Sequence, residues 1–504
     1  MKKYFFISFL LFLTVSQAQT FEVSGMIFLD QNGNGIKEPS EESLKNVLVS
    51  NGKMLTSTNG KGKFIIDAET NDAIFPVLPK GYSFNRKSSW WFPVQPLTRT
   101  TTSQKIKGVD FGLLPSPSKV NFKALIIGDI QVGDQQELWY ADQSILSELR
   151  QREDYDFSIF LGDLVNDKPE LFKPLKEMIN NFKNPFWMVY GNHDKNSQRN
   201  HKTQHLDFSE AFGPTRYAFF KEDVLFIILN SIEPVGDYGY NGNYSASDLD
   251  FLSALLKQVK GDQLLVISQH IPLGMMDNKQ KFLELLENRK NILLLSGHTH
   301  TVFQNFRKRN NQPAIHELTA GAVSGYWWTG EKDWQGIPLA LMQDGTPRGY
   351  FEIHFSKTPE GTDYQLHYKG VGLSTERQLS LWFGATNTEI SNTLSGNERT
   401  IFANVFAGST ETEVQMRIDG REWQPMGRRR ILDPFVNRIK KLQSKKLYPN
   451  GISRRSPYLS RESAHIWKGL LPAKLEEGLH KLEVLAKDEY GLDHRESAWF
   501  WVKE

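Results

Sequence analysis

The chain has 504 residues, no cysteine, and 60 basic against 58 acidic side chains, for a formal net charge of +2. That length exceeds what one hydrophobic core serves, so two to four domains are expected. The absence of cysteine excludes disulfides, thiolate metal ligands and a lipidated N-terminal cysteine, and the Lys and Arg residues are too dispersed to mark a nucleic-acid footprint, so no nucleic-acid partner is indicated.

The first residues are Met1-Lys2-Lys3, an apolar stretch from Tyr4 to Val15, and Ser16-Gln17-Ala18. A basic head, a short apolar segment and a small-residue end form the pattern of a secretory signal peptide, with cleavage expected after Ala18. The apolar stretch is too short to span a bilayer comfortably and no longer one occurs after it. The expected mature protein is therefore exported, periplasmic or secreted, and carries no transmembrane segment.

Residues 19–117 alternate in short β-type segments, such as Phe21 to Phe28 and Gly62 to Ile66, punctuated by the turn pairs Asn51-Gly52, Asn59-Gly60 and Lys80-Gly81. This pattern predicts a small N-terminal β-sandwich. Within it, Asp30-Gln31-Asn32-Gly33-Asn34-Gly35 followed by Glu41 has the oxygen-donor spacing of a calcium loop. It reads either as a structural calcium site or as a plain Asn-Gly turn between strands.

Pro115-Ser116-Pro117-Ser118 has linker composition, and a unit over 118–357 comes next. Five short apolar runs in this unit each end in residues suited to metal binding. Ala124 to Ile127 precedes Gly128-Asp129-Ile130-Gln131, and Ser158 to Leu161 precedes Gly162-Asp163. Phe186 to Tyr190 precedes Gly191-Asn192-His193-Asp194, Leu264 to Ser268 precedes Gln269-His270, and Ile292 to Ser296 precedes Gly297-His298-Thr299-His300. Runs this brief read as buried strands, and the residues after them gather along one rim of the sheet. Helical spacing separates them, with Leu138, Ile145, Leu146 and Leu149 on one face and Leu249, Leu252, Leu256 and Val259 on another. Ser247 with Asp250 offers a capping box for the second helix. After the last histidine motif, Tyr326, Trp327 and Trp328 lie in a loop-like stretch. They are placed either to stack on a sugar or base, with Trp327 and Trp328 as the substrate-binding candidates, or to pin the C-terminal part of the chain to this unit. Residues 358–504 revert to strands, as in Leu379 to Phe383, Thr400 to Phe406 and Lys481 to Ala486, and predict a C-terminal β-rich domain.

The ordered set of strand-end motifs resembles the calcineurin-like metallophosphoesterase family over about Asn121 to Phe355, and both flanks resemble the β-domains of its bacterial exported branch. The resemblance implies an α/β fold, with a two-sheet α/β sandwich core flanked by two β-sandwich-like domains. It also implies two divalent metal ions, and mixed oxygen and imidazole ligands suit Mn, Fe or Zn. By the same resemblance Asp163 bridges the pair, Asp129, Gln131 and His300 complete one site, and Asn192, His270 and His298 complete the other. His193 protonates the leaving oxygen or holds the phosphate. The implied substrate is a phosphate ester, monoester or diester, attacked in line by a metal-bound hydroxide.

Two departures from the family pattern bear on function. Gln131 stands where the commonest motif has His; an amide oxygen ligates more weakly, and an Asp-x-Gln variant branch is the nearer likeness. Asn166 stands where protein phosphatases carry an Asp that orients the catalytic histidine; either Asp167 substitutes or no such carboxylate is needed. Gln131 also supports a rival, a catalytically weakened phosphoesterase-like surface binding module, which the retained Asp129, Asp163, Asn192, His270, His298 and His300 oppose.

Overall fold

The computed structural model describes residues 20–86, 89–95, 104–330, 332–384, 393–395, 399–445 and 461–503. The expected signal peptide lies outside the described residues. Short, alternating or wholly apolar segments dictate strands throughout, and among the described residues these assemble into three pairs of sheets and a separate two-stranded ribbon.

The central pair is the α/β core. Its strands are β1 (Asn121–Ile127), β2 (Phe157–Phe160), β3 (Phe186–Met188), β4 (Tyr217–Lys221) and β5 (Val224–Ile228), then the ribbon strands β6 (Ile232–Val235) and β7 (Gly239–Gly242). After these come β8 (Leu265–Ser268), β9 (Ile292–Ser296), β10 (Val302–Arg309), β11 (Gln312–Ala320), β12 (Gly349–Thr358) and β13 (Gly361–Gly370). One sheet has the order β3-β2-β1-β12-β13, and the facing sheet the order β4-β5-β8-β9-β11-β10. Strands β1, β2 and β3 run parallel, as do β5, β8, β9 and β11. Because β2, β5, β8 and β9 are buried at every position, both of their faces are covered, which is why they read as unbroken apolar runs. Their carboxyl ends all meet one rim.

The sheet that begins at β3 ends at β13, whose ten residues pair with β12 along its whole length. The core sheet thus runs to Gly370, past the expected boundary at 357. Helix α1 (Gln135–Ala141) is capped by Asp134, whose carboxylate accepts the Glu137 N–H at 2.9 Å. Helix α2 (Ala246–Leu256) begins with a capping box made by Ser245 and Asp248, two residues before the expected Ser247 and Asp250. Asp248 wins because it is buried and also accepts the Arg216 guanidinium at 2.8 Å, a tertiary partner that Asp250 lacks among the described contacts.

Ahead of the core, Thr20–Leu29, Lys63–Glu69, Tyr82–Phe84, Lys105–Lys107 and Phe111–Pro115 form one sheet of a β-sandwich. Leu48–Ser50, Leu55–Ser57, Ala73–Pro76 and Phe92–Pro93 form the other. This unit docks through aromatic rings, with Trp90 at 4.9 Å from Tyr217 and 5.5 Å from Trp187, and Phe75 at 6.3 Å from Phe251. Such pairs contribute about 0.5–1.5 kcal/mol each beyond the area they bury. In the Asp30 loop, Asp30 accepts the N–H groups of Asn34 and Gly35, while Glu41 accepts those of Gln31 and Glu38.

Beyond Gly370, nine further strands among the described residues make two sheets of four and five around a separate apolar core that includes Leu379, Ile401, Trp467, Leu482 and Phe500. A buried polar knot joins this unit to the catalytic core. The His465 imidazole bonds the Asn404 Oδ1 at 2.8 Å and lies 3.3 Å from Asp344 Oδ2, which also accepts the Val302 N–H at 2.8 Å. Asn404 donates to Asp344 O and to Asp433. Among the described residues no helix is long and apolar enough to cross a membrane.

Candidate metal centre

Seven of the eight side chains singled out at the strand ends meet on the rim, and the eighth, His193, stands beside them. The backbone works to bring them there. Of thirteen non-glycine residues with positive φ among the described residues, seven are Gln131, Asp163, Asp167, His298, His300, Trp327 and Trp328. Left-handed backbone at such residues is uncommon and costs about 1–3 kcal/mol each, so its concentration here marks a site held in place by its surroundings. Glycine supplies the closest approach. A Cβ on Gly191 would overlap the backbone nitrogen of Asp163, so the Asn192 loop and the Asp163 loop touch only because residue 191 has no side chain.

Asp163 is fully buried. Its Oδ1 accepts the His193 N–H at 2.8 Å, and its Oδ2 lies 3.1 Å from His270 Nε2. That same Nε2 is 3.1 Å from Asn192 Oδ1 and 3.2 Å from His298 Nδ1. Asp163, His270 and His298 present ligand atoms all within 4.8 Å of one another. On the other side, His300 Nε2 lies 3.2 Å from Asp129 Oδ2, and both Asp129 oxygens accept the His298 N–H, at 3.0 and 3.1 Å. Gln131 Nε2 reaches Asp163 Oδ2 at 3.5 Å, while its Oε1 is buried without a hydrogen-bond partner.

The tautomers decide what this cluster fits. His270 Nδ1 lies 2.8 Å from the Leu161 carbonyl, and His300 Nδ1 lies 2.8 Å from the Gly325 carbonyl. A carbonyl only accepts, so both Nδ1 atoms carry hydrogen, and in the neutral rings both Nε2 atoms turn lone pairs toward carboxylates. Lone pairs facing carboxylates, with an orphaned amide oxygen beside them, form an arrangement that a cation satisfies and that water-free packing does not. Without one, charge must be carried by protons. Burial lowers the pKa of His270, but the Asp163 carboxylate outweighs it and pushes the ring up to about 9. Burial likewise works against ionised Asp163, and His270 overrides it and holds the carboxyl well below the usual range. Burial and the His270 charge hold His298 down to about 4. The donor set of carboxylate, amide and imidazole fits divalent transition metals.

His193 sits at the mouth with its side chain 27 % exposed, and its Nδ1 lies 2.9 Å from Asp167 Oδ2. Burial lowers its pKa, but hydrogen bonding to Asp167 and the charge of Asp163 hold it above the ordinary value. Asp167, not Asn166, is therefore the orienting carboxylate. Asp194 was not expected to matter. Its buried Oδ1 accepts the N–H groups of Leu164 and Val165 at 2.7 and 3.1 Å, and its Oδ2 accepts that of Gly191 at 2.9 Å, which ties the two ligand loops together. The only signal in the sequence was its place inside a ligand motif.

The two tryptophans part company. Trp327 is half-buried and lies 4.9 Å from His300 and 5.9 Å from His193, ring to ring, at the mouth. Trp328 is 4 % exposed, donates its Nε1–H to Ile130 O at 2.8 Å and packs under Arg348. The expectation that Trp328 stacks on substrate is corrected: its ring is enclosed by protein and fastens the rim loop beside the first motif.

Residues 122–302 match the family model for calcineurin-like phosphoesterase, and residues 317–494 match that for the C terminal of calcineurin-like phosphoesterase. The chain is a calcineurin-like phosphoesterase. This family membership accounts for the α/β core and implies divalent metals and a phosphate-ester substrate. No curated protein matches this phosphoesterase. Similar solved structures include a purple acid phosphatase, PPD1, from yellow lupin (Lupinus luteus), at 13% identity and a TM-score of 0.37 over 70% of this chain and 67% of that one. A Vps29 double mutant from Entamoeba histolytica is similar at 12% identity and a TM-score of 0.21 over 49% of this chain and 99% of that one. Vps29 from Chaetomium thermophilum is similar at 10% identity and a TM-score of 0.22 over 49% and 97%.

Proposed function

We propose that this phosphoesterase is an exported hydrolase of phosphate monoesters or diesters that works with two divalent metal ions. The observation that carries the proposal is the pair of histidines, His270 and His300, whose Nδ1 atoms are spent on carbonyls and whose Nε2 atoms face Asp163 and Asp129. Asp163, Asn192, His270 and His298 would hold one cation. Asp129, Gln131 and His300 would hold the other with Asp163 between them. When bound, Mn, Fe or Zn would neutralise charge on the phosphoryl oxygens and acidify a water.

The chain's own residues supply the remaining chemistry. Asp167 fixes the ring of His193 through Nδ1 and favours its charged form, so Nε2 carries the proton that the departing oxygen needs. The loops that bring these groups together are locked by Asp194, which keeps the nucleophile's approach and the leaving group's exit in one geometry. Export rests on the Met1 to Ala18 segment. The same proposal gives the Asp30 to Glu41 loop a structural calcium, favoured by the buried, unpartnered Glu38 Oε2 beside it; calorimetric titration of calcium into the protein and its Asp30→Ala variant tests it.

The main test is hydrolysis of p-nitrophenyl phosphate and bis-p-nitrophenyl phosphate, with metal content measured in parallel, by the protein and by His193→Ala. Metal-dependent turnover that the variant loses is expected. Turnover of neither ester with two metals bound would point to a narrow substrate, and turnover of neither without bound metal would favour the weakened binding module instead.

A further inference from the structure

The two residues of the cluster that reach solvent are His193 and His298, and each meets one aromatic ring edge-on. Trp327 stands at 89° to His193, with centroids 5.9 Å apart, and Tyr240 stands at 89° to His298, with centroids 6.1 Å apart. Tyr240 comes from a part of the fold that nothing in the motifs pointed to. It lies on the ribbon β6–β7, which among the described residues pairs only with itself and joins neither core sheet. An isolated two-stranded ribbon is marginal by itself, so its anchors fix where it stands.

Those anchors lead back to the site. Lys195, two residues after His193, donates its ammonium to the Tyr238 carbonyl at 2.7 Å and lies 4.0 Å from Asp167 Oδ1. Gln204 donates to the Asp237 carbonyl at 2.6 Å, and the Asp277 N–H bonds Gly242 O at 2.8 Å. The ribbon is thereby fastened to the segment that carries His193 and to the carboxylate that orients it. At its outer edge Tyr238 is 78 % and Tyr240 36 % exposed, far more than packing alone requires.

Resting on the phosphoesterase reading above, we propose that Tyr240 and Trp327 form the two walls of a slot at the mouth of the metal centre. The slot selects esters whose alcohol or phenol carries a planar aromatic ring, aryl or nucleobase. The imidazoles against the two rings, His193, His298 and His300, all belong to the metal-centre cluster, and Lys195 and Asp167 beside them are already engaged with Tyr238 O and His193. Ring contact rather than hydrogen bonding therefore sets the preference, and this favours a flat apolar group over a sugar.

The test measures binding and turnover side by side on the full chain loaded with manganese. Benzylphosphonate and methylphosphonate are titrated by calorimetry; p-nitrophenyl phosphate, adenosine 5′-monophosphate, glucose 6-phosphate and glycerol phosphate are compared as substrates. The expected result is tighter binding of benzylphosphonate, with the ratio of the two affinities falling about two- to tenfold in Tyr240→Ala and held in Tyr240→Phe. The two ring esters, compared with each other, show whether an aryl group or a nucleobase is preferred. A ratio unmoved by Tyr240→Ala, glucose 6-phosphate preferred over both ring esters, or binding of neither phosphonate would overturn the slot. Ring-selective binding without turnover of any ester would refute the hydrolase and leave the slot standing, whereas turnover without ring preference would do the reverse.

Discussion

Replacing Asp194 by Ala should do more damage than its lack of any metal-facing role suggests. The carboxylate is fully buried and takes three backbone N–H groups, from Leu164 and Val165 on the loop of Asp163 and from Gly191 on the loop of Asn192 and His193. Truncation strands three buried donors at about 1–3 kcal/mol each, and loop relaxation with entry of water returns part of that. A loss of about 3–5 kcal/mol in the stability of the catalytic core is expected. Asp194→Asn should lose less, about 2–3 kcal/mol, because its amide oxygen still serves two donors while its NH₂ meets the Gly191 N–H head-on. Urea unfolding of the metal-free protein, followed by tryptophan fluorescence, measures the first effect. Metal affinity by competition with a chelator measures the second, and should fall in the same order. A change below about 1 kcal/mol with metal affinity intact in Asp194→Ala would refute the claim that this side chain holds the two loops.

Asp163→Ala should abolish metal binding and turnover together, and full metal content with retained activity in that variant would sink the two-metal assignment. Gln131→Ala removes the orphaned amide oxygen and should drop metal content, measured by elemental analysis, from two toward one per chain. Asp167→Asn removes the carboxylate that raises the His193 pKa. The folded ring then loses its proton at lower pH, so the alkaline limb of the rate profile moves toward acid; an unmoved limb counts against His193 as the proton donor. His465→Ala should destabilise the junction by about 1–3 kcal/mol and loosen Asp344, which holds the Val302 N–H next to the His300 loop. Thermal unfolding at matched metal content checks it.

The convergence of the strand-end side chains was legible because parallel strands bury both faces and deliver the residues after them to one rim, so an apolar run ending in Gly-Asp or Gly-His points to that rim before any fold is known. Side-chain partners were less legible. Nothing in local sequence separates Trp327, at the mouth, from Trp328, one residue on and enclosed, since the left-handed backbone at both positions sets their directions. The start of α2 moved by two residues because Arg216 buries Asp248, a contact thirty-two positions away. Tyr240 left no trace because an exposed tyrosine on a polar ribbon resembles any surface residue until His298 is seen beside it.

The two family segments meet between residues 302 and 317, yet the catalytic sheets do not end there. Strand β11 bonds β9 directly behind His298, and β12 returns from beyond that point to pair with β1 directly behind Asp129. A chain cut at this seam would leave two open strand edges, each an invitation to pair with another molecule. Inheritance of the two segments as a unit is therefore enforced by the fold: neither can be exchanged between relatives unless the incoming piece brings strands that fit the edges of β1 and β9.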